Sequence, residues 1–228
     1  MTTTCPTTQP AQSIATPKPI AAGEIVVVRH GQGECNAAGT IGGQQSCRGL
    51  SDRGRWESDQ LAERLAKMDA VSAFDVLLCT PRPRVLESAQ IIAARLRRPV
   101  TVIDELAGQE FGVADGQSWE QVTGRFGGPP AHDPDRPIAE GAEPWNAYAD
   151  RVLAALTAML AQHAGHRILL VGHGKTSGLI GALLSGAPDP RAAVARFIID
   201  HGTLSHWRRL SPDHWNLLTH NDSRHLAE

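Results

Sequence analysis

Glu-Ile-Val-Val-Val-Arg-His-Gly at residues 24–31 and Arg-Ile-Leu-Leu-Val-Gly-His-Gly at residues 167–174 are two apolar, β-branched runs that both end in a His-Gly pair. A continuous Val, Ile and Leu run of this length, closed by glycine, is typical of a strand buried on both faces of a sheet. In an open α/β sheet, ligands bind just beyond the carboxyl ends of such strands. We therefore expect His30 and His173, with Arg29 beside the first, to meet in one site built from both halves of the chain.

Short apolar runs alternate with segments of helical periodicity along most of the chain. Besides the two strands above, the pattern predicts a helix at 51–68, a strand at 74–79, a helix at 84–97, a strand at 100–103, helices at 118–123, 145–162 and 175–184, and strands at 197–199, 204–210 and 215–219. Strands that alternate with helices imply a mostly parallel sheet covered on both sides. We therefore predict an α/β fold, a three-layer α/β/α sandwich with a mostly parallel central sheet.

The length and composition favour one domain that follows a tail. The chain has 228 residues, of which 41% are hydrophobic, and this is enough for one full core. Residues 1–22 are rich in Thr and Pro and are expected to form a disordered tail, so residues 23–228 are expected to form the domain. Residues 107–145 hold many Gly, Pro and Asp. Because so long an excursion is uncommon unless it is functional, we expect it to cover the site as a lid.

The composition also excludes several classes of partner. The formal net charge is -2, so no basic field points to nucleic acid. No apolar run is long enough to span a bilayer, which argues against a membrane partner. The four cysteines show neither a Cys-x-x-Cys pair nor zinc spacing, so reduced thiols in a cytoplasmic protein are the simplest interpretation. No His-Glu-x-x-His metal motif occurs. The oligomeric state stays open, a homodimer included.

The residues that follow the predicted strands suit chemistry on a phosphoryl group. The neutral imidazole of His30 is a competent nucleophile near neutral pH. Phosphoryl oxygens need surrounding positive charge, and the planar guanidinium of Arg29 suits them better than a lysine would. Arg84 is expected in the first turn of a helix, where the N-terminus itself favours anions. His173 can donate to a phosphoryl oxygen, and Gly174 opens a second helix N-terminus.

Each of these residues also has an ordinary structural interpretation. Arg29 fits a surface ion pair, Arg84 fits a solvated arginine at a helix start, as we expect for Arg82, and His173 fits a satisfied core histidine. The ordinary interpretation loses weight because all four candidates, His30 included, follow buried strands. The later histidines are predicted to be structural or exposed: His201, His206, His214 and His220.

Seven short motifs follow one another along the chain: Arg29-His30-Gly31, Asn36, Leu50-Ser51-Asp52-Arg53-Gly54, Arg84, Gly141-Ala142-Glu143, Val171-Gly172-His173-Gly174, and Asn221-Asp222-Ser223-Arg224-His225-Leu226. No single motif is specific. Their order and spacing resemble those of the histidine phosphatase superfamily, the phosphoglycerate-mutase-like proteins. The resemblance covers most of residues 24–226.

The resemblance implies a hydrolase of phosphoric ester bonds, similar to the histidine acid phosphatases. It implies that His30 becomes a transient phosphohistidine, which water then hydrolyses. Arg29, Arg84 and His173 are implied to hold the phosphoryl group, with help from Asn36 and from the backbone at Gly174. The substrate is implied to be a phosphomonoester or another small phosphorylated metabolite. No metal and no organic cofactor is implied.

The resemblance fails at the expected proton donor. The family usually carries a carboxylic acid four residues before the glycine of a Phe/Tyr-Gly pair, which here is Phe111-Gly112, so the expected position is Gly108. That acid protonates the leaving oxygen, which is typically worth ~10²–10⁴-fold in rate. Glu110 is the nearest substitute, although an ordinary loop carboxylate explains it equally well. Weaker candidates are Asp104, Glu105 and Asp115.

A chain without this acid favours substrates with good leaving groups, such as an acyl phosphate or a diphosphate. Two other functions stay open. A phosphoglycerate-type phosphomutase would need contacts to a substrate carboxylate from residues 113–145, where Arg125 and Arg136 are available. A phospholigand-binding or regulatory module with weak turnover is the other alternative. It is motivated by Gly108 and by Gly33, which stands where the family usually has a threonine.

Overall fold

The computed structural model of the chain describes residues 23–127, 133–192, 197–211 and 214–227, so the predicted tail lies outside the described residues. The strands of this part are β1 (Glu24–Arg29), β2 (Val76–Cys79), β3 (Thr101–Val102), β4 (Arg167–Gly172), β5 (Leu204–Ser211) and β6 (His214–Asp222). Its α-helices are α1 (Glu34–Ala37), α2 (Asp52–Val71), α3 (Pro83–Leu96), α4 (Trp119–Phe126), α5 (Trp145–Gln162) and α6 (Gly174–Leu184). None of these helices is both long and apolar enough to cross a membrane.

The six strands form one sheet in the order β3-β2-β4-β1-β5-β6. The first four run parallel, whereas β5 pairs antiparallel with both β1 and β6. In the pairing of β1 with β4, Val28 lies opposite Val171 and Arg29 opposite Gly172. The two predicted strands are therefore neighbours, and their carboxyl ends lie at the same level of the sheet.

Helices cover both faces of the sheet, as the alternation of side chains along β1 shows. Val26 and Val28 face the cluster that includes α2 and α3. Ile25 and Val27 face the opposite cluster, which includes α5 and α6. These four side chains are at most 1% exposed. The predicted mostly parallel sheet and three-layer α/β/α sandwich are confirmed.

The strand predicted at 197–199 is wrong. Within the described residues this segment pairs with no strand, and the position beside β1 on that side of the sheet is taken by β5. Ile199 is buried, and its carbonyl oxygen accepts a hydrogen bond of 2.7 Å from Arg29 Nη1. Phe197 packs on α6 so closely that a Cβ at Gly181 would lie 2.4 Å from its ring. Phe197 and Ile199 are therefore apolar because they pack inside the fold, whereas Ile198 between them is 71% exposed.

Helix α2 begins in close contact with the loop that follows β1. Ser51 caps the helix, and its Oγ accepts a hydrogen bond of 3.1 Å from the N–H of Gly54. A Cβ at Gly54 would lie 2.0 Å from the carbonyl oxygen of Gln32, and a Cβ at Gly31 would lie 2.2 Å from the carbonyl oxygen of Gly54. Only glycine fits both positions, and this contact fixes the loop that carries His30.

We expect Gly54→Ala to lower the free energy of unfolding by about 1–3 kcal/mol, because the new methyl group meets backbone that cannot move aside cheaply. Urea unfolding followed by circular dichroism measures the change.

The matched control is Gly124→Ala in α4, where a Cβ would meet no heavy atom within 4 Å. That substitution should leave stability unchanged or raise it by about 0.5–1 kcal/mol, because alanine is the better helix former. Equal effects of the two substitutions would contradict the close-approach explanation.

Candidate active site

His30 and His173 lie side by side at the carboxyl ends of β1 and β4. Their ring centroids are 5.4 Å apart, and the rings are nearly perpendicular, at 75°. Both side chains are buried, with 2% and 7% of their surface exposed. The N–H of His30 donates to the carbonyl oxygen of Gly172 at 3.1 Å, which joins the ends of the two strands. The two halves of the chain therefore meet where the sequence predicts.

The hydrogen bonds of His30 define its tautomer. Nδ1 lies 2.6 Å from the carbonyl oxygen of Gly31, and since a carbonyl only accepts, Nδ1 carries the proton. Nε2 accepts a hydrogen bond of 3.0 Å from Nε of Arg84. The lone pair of Nε2 therefore accepts a hydrogen bond from the Arg84 guanidinium, a cation that is also able to bind a phosphoryl oxygen.

Arg84 lies in the first turn of α3 and is buried. Its Nη1 donates to the carbonyl oxygen of Gly42 at 2.9 Å and to Sγ of Cys47 at 3.3 Å. A Cβ at Gly33 would lie 2.8 Å from Cδ of Arg84. The glycine that departs from the family pattern therefore leaves room for the stem of this arginine.

Arg29 reaches across the end of the sheet toward residues that precede β5. Its Nη2 donates to Nε2 of His201 at 2.7 Å, because a guanidinium cannot accept. Its Nε is buried and has no hydrogen-bond partner within the described part of the chain. A Cβ at Gly174 would lie 3.4 Å from this Nε, so the guanidinium faces the N-terminus of α6.

His201, which the sequence predicts to be structural or exposed, is a residue of the site. Its ring centroid is 5.5 Å from that of His30, so the side chain belongs to the site. The C-terminal motif holds this loop in place: Oδ1 of Asn221 accepts hydrogen bonds of 2.7 Å from the N–H of Asp200 and from Oγ1 of Thr203. That C-terminal motif is the sequence signal that could have pointed to this segment, but it does not include His201 itself.

Gly108, the position of the missing acid, lies directly against His173. Nε2 of His173 is 3.1 Å from Oγ1 of Thr80. A Cβ at Gly108 would lie 2.9 Å from the same Nε2 and 3.2 Å from Nε of Arg82. The chain therefore does not simply lack a carboxylate here, because its backbone approaches the histidine more closely than a side chain would allow.

The prediction that Arg82 is solvated is wrong, since only 1% of the residue is exposed. Its Nη1 donates to the carbonyl oxygen of Gly42 at 3.1 Å, and its Nη2 donates to the carbonyl oxygens of Gly108 at 2.9 Å and Gln109 at 3.3 Å. The loop around Gly108 folds over the guanidinium and supplies these acceptors, which explains the burial of a residue at a helix start.

Glu110 pairs with Arg82, with 3.1 Å between Oε1 and Nη2, and its side chain is 51% exposed. Gln109 is buried beside it; its Nε2 donates to the carbonyl oxygen of Glu143 at 2.7 Å, and its Oε1 accepts from Nζ of Lys175. The carboxylate of Glu110 is thus held at Arg82 on the rim of the site. The structure brings it to the same wall as Gly108 and His173.

The remaining candidates lie around the rim or outside it. Asn36 is exposed, and its Oδ1 accepts a hydrogen bond of 3.0 Å from the N–H of Gly33 on the loop after His30. Asp115 accepts hydrogen bonds from the N–H groups of Gly43 at 2.7 Å and Gln45 at 2.9 Å, which is a loop-building role. Four further candidates are exposed: Asp104, Glu105, Arg125 and Arg136.

Burial and neighbouring cations keep the histidines of the site neutral. Burial holds the pKa of His30 well below its usual value, and Arg84 and His173 lower it further. Burial also holds the pKa of His173 well below that value, with Arg84 and Arg82 as the next causes. Burial and the Arg29 guanidinium lower the pKa of His201 to about 4. The site therefore combines neutral imidazoles with permanent positive charge, and this suits nucleophilic attack on an anion.

Comparisons with known proteins identify the relatives of this chain. The chain matches the family model described as the histidine phosphatase superfamily (branch 1) over residues 25–223. It is 29% identical over 210 residues to phosphoglycerate mutase-like protein 4 of Arabidopsis thaliana, a match covering 90% of this chain and 87% of that protein. It is 32% identical over 161 residues to the metal-independent phosphoserine phosphatase of Arabidopsis thaliana, covering 66% of this chain and 64% of that protein.

A solved structure shows the same fold. The alpha-ribazole phosphatase from Shigella flexneri superimposes on the chain with a TM-score of 0.73 at 22% sequence identity. The superposition covers 88% of this chain and 96% of that chain.

We expect the free energy of unfolding to fall as the pH drops below about 6.5, the usual histidine pKa. The unfolded chain then takes up protons that the buried, neutral His30, His173 and His201 of the folded protein do not. Above that pH the stabilisation is fully present, and below it each such histidine removes about 1.4 kcal/mol per pH unit until its own lowered pKa is reached. Urea unfolding over a pH series measures the slope.

The paired variants for this measurement are His201→Gln and His214→Gln. The first removes a group whose pKa is lowered, so the slope should decrease; the second removes an exposed histidine of β6, so the slope should stay the same. Identical slopes in wild type and both variants would show that His201 does not contribute.

Proposed function

The chain belongs to the histidine phosphatase superfamily, and we propose that it is a metal-independent phosphatase that acts on a small phosphorylated metabolite through a phosphohistidine on His30. Its phosphatase-named relatives support phosphatase activity in general terms. The observation that carries the finer proposal is the position of His30 Nε2, whose lone pair points at Nε of Arg84 at 3.0 Å. The proposed nucleophile and a cation that can bind phosphate are thus in direct contact.

In the proposed first step, Nε of Arg84 exchanges its hydrogen bond with Nε2 of His30 for one with a phosphoryl oxygen, and the freed lone pair of Nε2 attacks phosphorus. A nitrogen–phosphorus bond forms while the bond between phosphorus and the leaving oxygen breaks, and the electron pair of that bond departs with the oxygen. The ring of His30 keeps the proton on Nδ1 and gains a positive charge. The carbonyl oxygen of Gly31, 2.6 Å from Nδ1, stabilises that charge.

In the second step, water attacks the phosphorus of the phosphohistidine. The nitrogen–phosphorus bond breaks, and its electron pair returns to Nε2 of His30 as the neutral imidazole. Both protons of the water stay with the phosphate, which leaves as the monoanion. Charges and atoms balance without a cofactor.

The groups around His30 would hold the three phosphoryl oxygens. Arg84 and Arg29 supply positive charge; the buried Nε of Arg29, which has no partner within the described residues, is a ready donor. His173 can donate from its ring, and the backbone at Gly174 opens α6, whose N-terminus favours anions. Asn36 uses its Oδ1 on Gly33, so its amide nitrogen is the end available to substrate.

We favour a phosphatase over a mutase because the two arginines that could bind a substrate carboxylate in a mutase are not part of the site around His30. Arg125 and Arg136 are exposed, and the guanidinium of Arg125 lies 5.1 Å from the centre of the Phe126 ring on its own helix. Among the described residues, neither of them takes part in the hydrogen bonds around His30. We further propose a cytoplasmic enzyme with a small-molecule partner, on the cysteine pattern and net charge; a homodimer stays an open alternative.

We expect His30→Ala to abolish hydrolysis of p-nitrophenyl phosphate and to abolish the acid-labile phosphoenzyme trapped by rapid quenching. Arg84→Ala and His173→Ala should each lower kcat by roughly 10²–10³-fold, because each removes one group that stabilises developing charge. Steady-state kinetics with and without EDTA test the metal independence, and EDTA should change nothing.

The matched control is His163→Ala, near the end of α5, which should leave kcat unchanged. A wild-type protein that binds phosphate without releasing it from any substrate would be a binding module. Movement of phosphate between positions of phosphoglycerate would identify a mutase. Full activity of His30→Ala would overturn the proposed nucleophile.

The predicted role of Glu110 as proton donor can be tested with a substrate whose poor leaving group needs a proton. Because its carboxylate already accepts a hydrogen bond from Arg82, and glutamine can do the same, we expect Glu110→Gln to lower the rate by less than about tenfold for phenyl phosphate. A loss of ~10²–10⁴-fold that is confined to this poor leaving group would instead assign the acid to Glu110.

A further inference from the structure

The guanidinium of Arg29 is held at its outer end by the segment that precedes β5. Its Nη1 donates to the carbonyl oxygen of Ile199 at 2.7 Å, and its Nη2 donates to Nε2 of His201 at 2.7 Å. Because each terminal nitrogen of the planar fork has a fixed acceptor, the direction of the guanidinium is defined. Of the two acceptors, His201 is the one that uses its side chain, so a substitution can change it.

The same segment is tied to Arg29 through the backbone. The N–H of Arg29 donates to the carbonyl oxygen of Thr203 at 3.2 Å, and the N–H of Gly202 donates to the carbonyl oxygens of Arg29 and His30, both at 3.2 Å. The imidazole of His201 lies against that of His30, with ring centroids 5.5 Å apart. His201 therefore reaches Arg29 from a loop whose position relative to the nucleophile is fixed.

The acceptor that His201 offers to Arg29 is neutral. A guanidinium can only donate, so Nε2 of His201 carries no proton. Burial and the Arg29 guanidinium lower the pKa of His201 to about 4, which keeps the ring neutral above that pH. A neutral acceptor orients a cation without cancelling its charge, whereas a carboxylate in the same place would cancel it.

A carboxylate stands next in sequence, but it has a different partner. Burial lowers the pKa of Arg29, and the charge of Asp200 opposes that shift. Oδ2 of Asp200, however, accepts a hydrogen bond of 2.8 Å from Nδ2 of Asn221. Within the described part of the chain, the guanidinium of Arg29 donates to a carbonyl and an imidazole and to no carboxylate. Arg29 therefore keeps its full positive charge for an anion.

We propose that His201 is a positioning residue, which holds the guanidinium of Arg29 in place for the phosphoryl group and leaves its positive charge uncompensated. The inference rests on the proposed function, in which Arg29 binds phosphoryl oxygens. His201 acts through Arg29 and does not need to touch the substrate. A long side chain that is held in advance loses less conformational freedom when the phosphoryl group binds, so binding is tighter.

The test compares three substitutions at position 201. His201→Gln keeps a neutral acceptor near the place of Nε2, His201→Leu removes the acceptor, and His201→Glu supplies an acceptor that carries negative charge. Steady-state kinetics with p-nitrophenyl phosphate give kcat and KM, and competition by inorganic phosphate gives its inhibition constant.

We expect His201→Gln to stay within about threefold of wild type in kcat/KM, and His201→Leu to lose roughly 10–100-fold, the range of a hydrogen bond to a charged group. The inhibition constant of inorganic phosphate should be about tenfold or more higher in His201→Glu than in His201→Gln, because the two side chains have the same shape and differ in charge.

A double-mutant cycle with Arg29→Met separates positioning from a purely structural role. When His201 acts through Arg29, His201→Leu costs less than about twofold in kcat/KM once Arg29 is already methionine. A loss of loop stability alone would instead cost the same factor in both backgrounds.

The matched control is His206→Leu in β5. His206 is also half-buried, but its Nε2 lies 3.0 Å from Oε2 of Glu24, at the opposite end of β1 from Arg29. Its loss should leave kcat/KM and the inhibition constant of inorganic phosphate unchanged.

Equal inhibition constants in all three variants at position 201, or additive losses in the double-mutant cycle, would overturn the inference while leaving the phosphatase intact. The Gln and Glu variants decide the matter even where His201→Leu does not fold. A wild-type protein that neither hydrolyses p-nitrophenyl phosphate nor forms a phosphohistidine would remove the proposed function. Calorimetric titration of the same variants with inorganic phosphate would then still measure whether His201 positions Arg29 for an anion.

Discussion

The register between β1 and β4 is the constraint on which the site depends. Arg29 pairs with Gly172, so the chain leaves both strands at one level of the sheet and the next residues are His30 and His173. Because side chains alternate along a strand, a slip of one residue would send one imidazole to the opposite face. Loop glycines then hold this end of the sheet against α2, and the tautomer of the nucleophile follows from the backbone carbonyl beside it.

Much of the fold could be predicted from the sequence wherever a segment has one clear hydrophobic periodicity, either helical or strand-like. The bounds of α5 and β4 agree with the predicted 145–162 and 167–172, because the first has a strong helical repeat and the second is an unbroken apolar run. The convergence of His30, His173, Arg29 and Arg84 was also predictable, since residues that follow parallel strands collect at one edge. These features need only local pattern and sheet geometry.

The rest depended on contacts between segments distant in sequence. Arg82 is buried because a loop more than twenty residues later supplies carbonyl oxygens to it, with Gly108 26 residues away. His201 joins the site because Asn221 ties down the preceding loop, and Phe197 packs on a helix where periodicity suggested a strand. In each case the local pattern indicates whether the residue is polar or apolar. It does not indicate which distant residue will contact it, because that depends on the whole fold.

The tight fit at Gly108 also bears on how such a chain could change. A glutamate introduced there alone would strike the imidazole of His173, and a threonine introduced at Gly33 would strike the stem of Arg84. Neither departure from the family pattern can be reversed by a single codon substitution without moving a neighbour. Mutations at these positions should therefore show strong epistasis, because each new side chain needs a compensating change in the residue that it meets.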